Sequence, residues 1–138
     1  MTESTAPHVE VQQIDAVLRY LPLFEQEGFS PGDWQTQEGQ LPYFASSPEV
    51  DAFVQTVYEQ GIICTFDWTG WQDEAQRYRS DPGSLAQADL LTVRKLLTLH
   101  VRADRFVEGH LASAFENGQI VAILRRLKHL REEMAGSA

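Results

Sequence analysis

The chain has 138 residues, a length that suits one domain with a core large enough to fold without disulfide or metal staples. With 43% hydrophobic and 10% aromatic residues it has a globular composition, not that of a disordered chain. A net charge of −9 argues against a nucleic-acid partner, which calls for a clustered basic face.

The charge is unevenly placed. Residues 1–60 hold ten acids and one base, Arg19, whereas residues 61–138 hold ten of each. Arg125, Arg126, Lys128 and Arg131 are the one basic group, inside an acidic molecule whose surface charge is read as solubilising. The single cysteine, Cys64, excludes an internal disulfide and suits a reducing compartment. No apolar stretch approaches the ~18 residues of a spanning helix, and the first residues lack a secretory signal pattern. A cytoplasmic protein with no membrane partner is expected.

Residues 1–8 read as a disordered tail, and residues 9–135 as a single helical domain. Val11, Ile14, Val17, Leu18 and Leu21 recur at helical spacing and predict a first amphipathic helix, disturbed by Pro22. Ser30 to Asp33 is a turn, and Trp34 to Gln40 is read as polar loop. Leu41 to Phe44 is too short for a helix and reads as extended. Ser47-Pro48 starts the next helix, because a hydroxyl caps it and proline fits its first position. Val50, Phe53, Val54 and Val57 are its buried stripe, and Gly61 its left-handed stop. Ile62 to Phe66 is a β-branched apolar run that pairs with residues 41–44 in a minimal two-stranded ribbon.

Thr69 and Gln72 have the spacing of a capping box, so a third helix is expected from Gly70. Its apolar face is Trp71, Ala75 and Tyr78, with Asp73 and Arg77 one turn apart as a surface pair. Asp81-Pro82-Gly83 ends it, and Asp89 caps a fourth helix carrying Leu90, Val93, Leu97 and Val101. A fifth segment runs to Phe115, where Asn117-Gly118 breaks it, and Ile120, Ile123, Leu124, Leu127 and Leu130 mark the last helix. The fold class expected is mainly α, a compact bundle of five or six helices with at most that ribbon. Val11, Val17, Leu21, Phe53, Val57, Trp71, Val93, Leu97, Leu111, Phe115, Ile123, Leu124 and Leu127 are the nominated core.

Chemistry concentrates in residues 98–110. If the fourth helix ran on, His100, Asp104 and Glu108 would fall within ~80° of one another on its apolar side, where unpaired charge is costly. A break near Ala103 would instead splay these side chains into a cleft. Three readings follow. Asp104 and Glu108 pair with arginines, Arg105 above all, and organise a helix junction. Alternatively Arg102, Arg105, Glu108 and His110 form a pocket for a small anionic ligand, since arginine suits carboxylate and phosphate. The third is a metal or acid–base site of His100, Asp104, Glu108 and His110, for which no paired metal motif is present. Asp67, Trp68 and Trp71 add a second candidate: core anchors, or aromatics that stack a flat ligand beside an acid. Cys64, in an apolar run, reads as an inert core thiol. No P-loop, dinucleotide, nucleophile-elbow or zinc-finger motif is present, so no cofactor and no metal are expected.

The strings FDWTGWQDEAQRY and ADLLTVRKLLTLHVRADRFVEGHLASAFENGQIVAILRRLK resemble a bacterial family of unknown function. The resemblance is strongest over residues 88–128 and rests on Arg102-x-Asp104-Arg105-Phe106-x-Glu108-Gly109-His110 followed by Gly118, Ile120 and Ile123-Leu124. It implies a bacterial source and a compact domain, and it brings no activity and no residue role. The function expected is a non-enzymatic binding or regulatory domain that acts through a protein partner or a small anionic ligand. The alternative is a small hydrolase or transferase using the His/Asp/Glu/Arg cluster. The acidic N-terminal half and the basic last helix also suit self-association as a homodimer.

Overall fold

The computed structural model describes residues 8–136. In chain order it contains α1 (Val11–Leu18), the single turn α2 (Leu21–Phe24), strands β1 (Gly32–Gln35) and β2 (Tyr43–Ser46), and α3 (Pro48–Glu59). A 3₁₀ turn at Thr69–Trp71 leads into α4 (Gln72–Ser80), followed by the turn α5 (Pro82–Leu85), α6 (Leu90–Ala103), α7 (His110–Glu116) and α8 (Gln119–Gly136). Six of these helices have seven or more residues, so the chain is mainly α with one minimal ribbon. The tail expected over residues 1–8 lies, apart from His8, outside the described residues.

α8 is the axis of the core because its apolar residues recur at helical spacing on a face covered by α1, α6 and α7. Ile120, Ile123, Leu124 and Leu127 have no solvent exposure, and burying each such side chain contributes roughly 1.5–3 kcal/mol. At the other end, Phe24 meets Phe115 edge-on at 4.7 Å and Phe53 at 5.1 Å, closing α2, α3 and α7 together. Of the nominated core, Val11 and Trp71 are half-buried and all the others are buried.

Local signals act where the sequence places them. Ser47 Oγ accepts from the Val50 amide at the start of α3, and Asp89 Oδ1 accepts from the Thr92 amide at the start of α6. The capping box at Thr69 and Gln72 does not form. Asp67 takes its place: one carboxylate oxygen accepts from Thr69 Oγ1 at 2.7 Å and from the Gly70 amide at 3.2 Å. A charged acceptor two residues earlier outcompetes a hydroxyl, so the helix opens with a 3₁₀ turn. Arg77 does not pair with Asp73; it turns back over the Tyr78 ring at 5.1 Å and donates to its hydroxyl.

The ribbon has a different partner from the one expected. β2 pairs antiparallel with β1, Trp34 opposite Phe44, and not with residues 62–66. Two causes are visible. Gly32 holds φ at 140°, and a Cβ there would stand 2.2 Å from the Ala45 carbonyl oxygen, so glycine lets the strands close. Residues 61–64, meanwhile, are held by α6 side chains. Arg94 donates to the carbonyls of Ile62 at 3.1 Å and Gly61 at 2.8 Å, and Thr98 Oγ1 accepts from the Cys64 amide at 3.0 Å. With these groups satisfied, the segment does not join the ribbon.

The opposite charges of the two halves meet within the chain. Arg125 of α8 binds Glu25 at 2.7 Å, and Arg131 binds Asp15 of α1 at 2.7 Å. These are solvent-exposed pairs, screened by water and salt, and they contribute little to stability. Among the described residues, no helix is long and apolar enough to cross a membrane.

Candidate functional site

The helix carrying His100 stops at Ala103, and the chain turns through residues 104–109 before α7 begins at His110. Two residues fix this reversal. Gly109 sits at φ 83°, a left-handed position closed to most side chains, and a Cβ there would also press on the Trp34 ring at 3.1 Å. Asp104 Oδ1 accepts from the Leu111 amide at 3.0 Å, satisfying a free donor in the first turn of α7. The reversal brings together two histidines ten residues apart.

His100 Nδ1 lies 3.1 Å from His110 Nε2, and the rings stack with centroids 5.3 Å apart and planes 28° apart. Burial, reinforced by His110 and by Arg79, lowers His100 to about 3. Burial also lowers His110, opposed by the Asp104 carboxylate and aided by Arg79. Both rings are therefore neutral near pH 7, and one proton bridges them. Whichever ring carries that proton, one outer nitrogen is then a donor and the other an acceptor. Neither outer nitrogen has a hydrogen-bond partner among the described residues.

The pair forms part of the wall of a cleft of about 540 Å³, within the range of small-molecule sites. Gln72, Gln76 and Arg79 enter it from one face of α4, spaced four and three residues apart as helix geometry requires. Leu99, Ala103 and Val107 supply apolar surface, and Trp68 and Phe106 stand together with centroids 5.7 Å apart. Gln119, the first residue of α8, is buried on the same wall, and its Nε2 has no hydrogen-bond partner among the described residues. An unsatisfied buried amide costs roughly 1–3 kcal/mol. Arg79 makes no hydrogen bond or ion pair among the described residues. Asp73, the one acid on the wall, lies near the other end of α4, about 9 Å along the axis at 1.5 Å per residue.

The sequence-nominated residues divide accordingly. His110 and Trp68 line this cleft; Arg102, Arg105, Glu108, Asp67 and Trp71 do not. Arg105 lies over the Tyr58 ring at 5.5 Å, and Glu108 accepts from the Phe44 amide, fastening the ribbon to the turn. Arg102 makes no polar contact among the described residues. The expected network of Asp104 and Glu108 with arginines is thus absent: each carboxylate accepts a backbone amide instead, Asp104 from Leu111 in α7 and Glu108 from Phe44 in β2. Asp67 lies below the usual carboxylate range through its bonds to Thr69 and Gly70. Trp71 stacks on Tyr78 at 6.2 Å and meets Phe66 edge-on at 5.6 Å. The Cys64 thiol is buried, and burial pushes it up. Among the described residues no three His, Cys, Asp or Glu side chains gather as metal ligands. Sequence reasoning missed Arg79, Gln72, Gln76, Phe106 and Gln119.

Fold and site together define a mainly helical domain with a cleft lined by a neutral histidine pair, free amides and one arginine. Residues 9–133 match the model of the Family of unknown function (DUF6508), and the chain belongs to that family. No curated protein and no solved structure matches it.

Proposed function

We propose that the protein is a non-enzymatic binding or regulatory domain that holds a small anionic ligand in this cleft, in the cytoplasm of a bacterium. The carrying observation is Gln119: a buried amide on the cleft wall whose nitrogen has no partner among the described residues. Its terminal torsion is a broad two-fold rotor, so a half-turn offers either donor or acceptor to an occupant. Arg79 supplies the attraction for an anion. The histidines add hydrogen-bonding capacity without adding charge, and Asp73 at the opposite end disfavours a reversed pose.

The test is calorimetric titration of the intact protein with benzoate, acetate and inorganic phosphate, repeated on Arg79→Gln. At least one anion should bind and should weaken tenfold or more in the variant. No anion binding, or equal binding in both proteins, overturns the reading.

A second reading, a small hydrolase or transferase, is favoured by the histidine pair alone. His110, bonded to His100 and in the field of Asp104, has the surroundings of a proton-transfer group. The hydroxyl on the wall, that of Thr69, donates to Asp67, so such an enzyme would activate water or a substrate's own nucleophile. A protein partner and a homodimer also belong to the proposal, supported by exposed Trp34, Leu41 and Tyr43 on and beside the ribbon.

A further inference from the structure

We infer that the occupant of the cleft is a planar aromatic acid of one or two rings, with its ring against Trp68 and Phe106 and its acid group toward Arg79. The inference rests on the anion-binding reading and adds the chemical class. A volume of about 540 Å³ far exceeds what acetate or phosphate fills. The space beyond the charged group is bounded by aromatic and aliphatic surface. Phe106 is 76% exposed and Val107 59% exposed, so large apolar side chains on the cleft wall stand open to an occupant. Aromatic faces are best covered by another aromatic in offset or tilted contact.

The polar groups fit the same class. Arg79 is the one cation on the wall, matching a single acid group, and a guanidinium pairs with a carboxylate through two parallel hydrogen bonds. The amides of Gln72, Gln76 and Gln119 and the outer nitrogens of the histidine pair offer in-plane donors and acceptors to ring heteroatoms or substituents. A second anionic group would meet no second cation there, which disfavours polyphosphates and dicarboxylates.

The experiment titrates the intact protein calorimetrically with 2-naphthoate, benzoate, cyclohexanecarboxylate and acetate, and repeats 2-naphthoate on Phe106→Ala. Because Phe106 is largely exposed, this variant should melt at the wild-type temperature. The expected order is 2-naphthoate, benzoate, then cyclohexanecarboxylate at least fivefold weaker than benzoate, with acetate weakest; Phe106→Ala should weaken 2-naphthoate at least fivefold. If cyclohexanecarboxylate equals benzoate, or Phe106→Ala binds unchanged, the aromatic assignment is overturned while the anion site stands. If neither the carboxylates nor inorganic phosphate bind, the anion reading itself falls and takes the assignment with it.

Discussion

His100 Nδ1 and His110 Nε2 share one proton across 3.1 Å, and this bond joins the last turn of α6 to the first residue of α7. Its partners are neutral in the folded protein, with His100 lowered to about 3 chiefly by burial. The unfolded chain protonates the same ring near its ordinary value of 6.5. Between those values the unfolded state holds the extra proton, so folding stability must fall as pH drops below about 6.5. One such proton is worth about 1.4 kcal/mol per pH unit. Urea melts from pH 6.5 to 5, above the main carboxylate range, should show this slope; His110, lowered in the same direction, adds to it. His100→Gln, which can still bond His110, should remove one proton's share. An unchanged slope in the variant contradicts the buried neutral pair.

Arg94 is a buried cation with no carboxylate partner among the described residues, and its guanidinium donates to the Gly61 and Ile62 carbonyls just past the end of α3. Those carbonyls lie just past the C-cap Gln60, so the guanidinium also stands near the negative end of the α3 dipole. Arg94→Met keeps the stem and removes the donors. It should cost roughly 1.5–3 kcal/mol, the range for hydrogen bonds to a charged group, measured by chemical denaturation. A neutral result would show that these carbonyls find other donors.

Asp104 and Arg105 should part company. Asp104→Ala removes the acceptor of the Leu111 amide and should cost about 0.5–2 kcal/mol, as loss of a helix cap does. Arg105→Ala loses only a stacked contact on Tyr58 and should cost no more than about 1 kcal/mol. Equal, large losses of several kcal/mol in both would restore the carboxylate–arginine network in place of these separate contacts.

Leu124 has no solvent exposure in the N-terminal half of α8, and Leu124→Ala should cost about 2–5 kcal/mol in a thermal or urea melt. A wild-type melt would mean that α8 is rotated relative to the core described above.

Much of the fold was legible because it is periodic: the stripes of α3, α6 and α8 and the caps at Ser47 and Asp89 depend on neighbours in sequence. Strand pairing was not. Residues 62–66 look like a strand by composition, but their backbone is held by Arg94 and Thr98, some thirty residues away. The site divides the same way. The break near Ala103 and the concentration of ionisable residues after it pointed to His110, and Trp68 stood out as a large aromatic at a helix start. Arg79, Gln72 and Gln76 look like ordinary solvent-facing polar residues until α4 is laid across α6. Gln119, directly after Asn117-Gly118, reads as a helix-start residue, and its burial comes from elements distant in sequence that share the cleft wall with it. Arg102, Arg105 and Glu108 drew attention by charge, yet charge alone does not say which way a turn points a side chain.

The most direct measurement is a two-dimensional NMR titration of ¹⁵N-labelled protein with benzoate, following the Gln119 side-chain amide and the tryptophan indoles. The Gln119 amide and the Trp68 indole should shift together and saturate at one concentration, while the Trp34 indole, on the ribbon and outside the cleft wall, stays in place. Saturable shifts that leave Gln119 and Trp68 unmoved, or no shifts at millimolar benzoate, would contradict an anion-binding cleft between α4, α6 and α8.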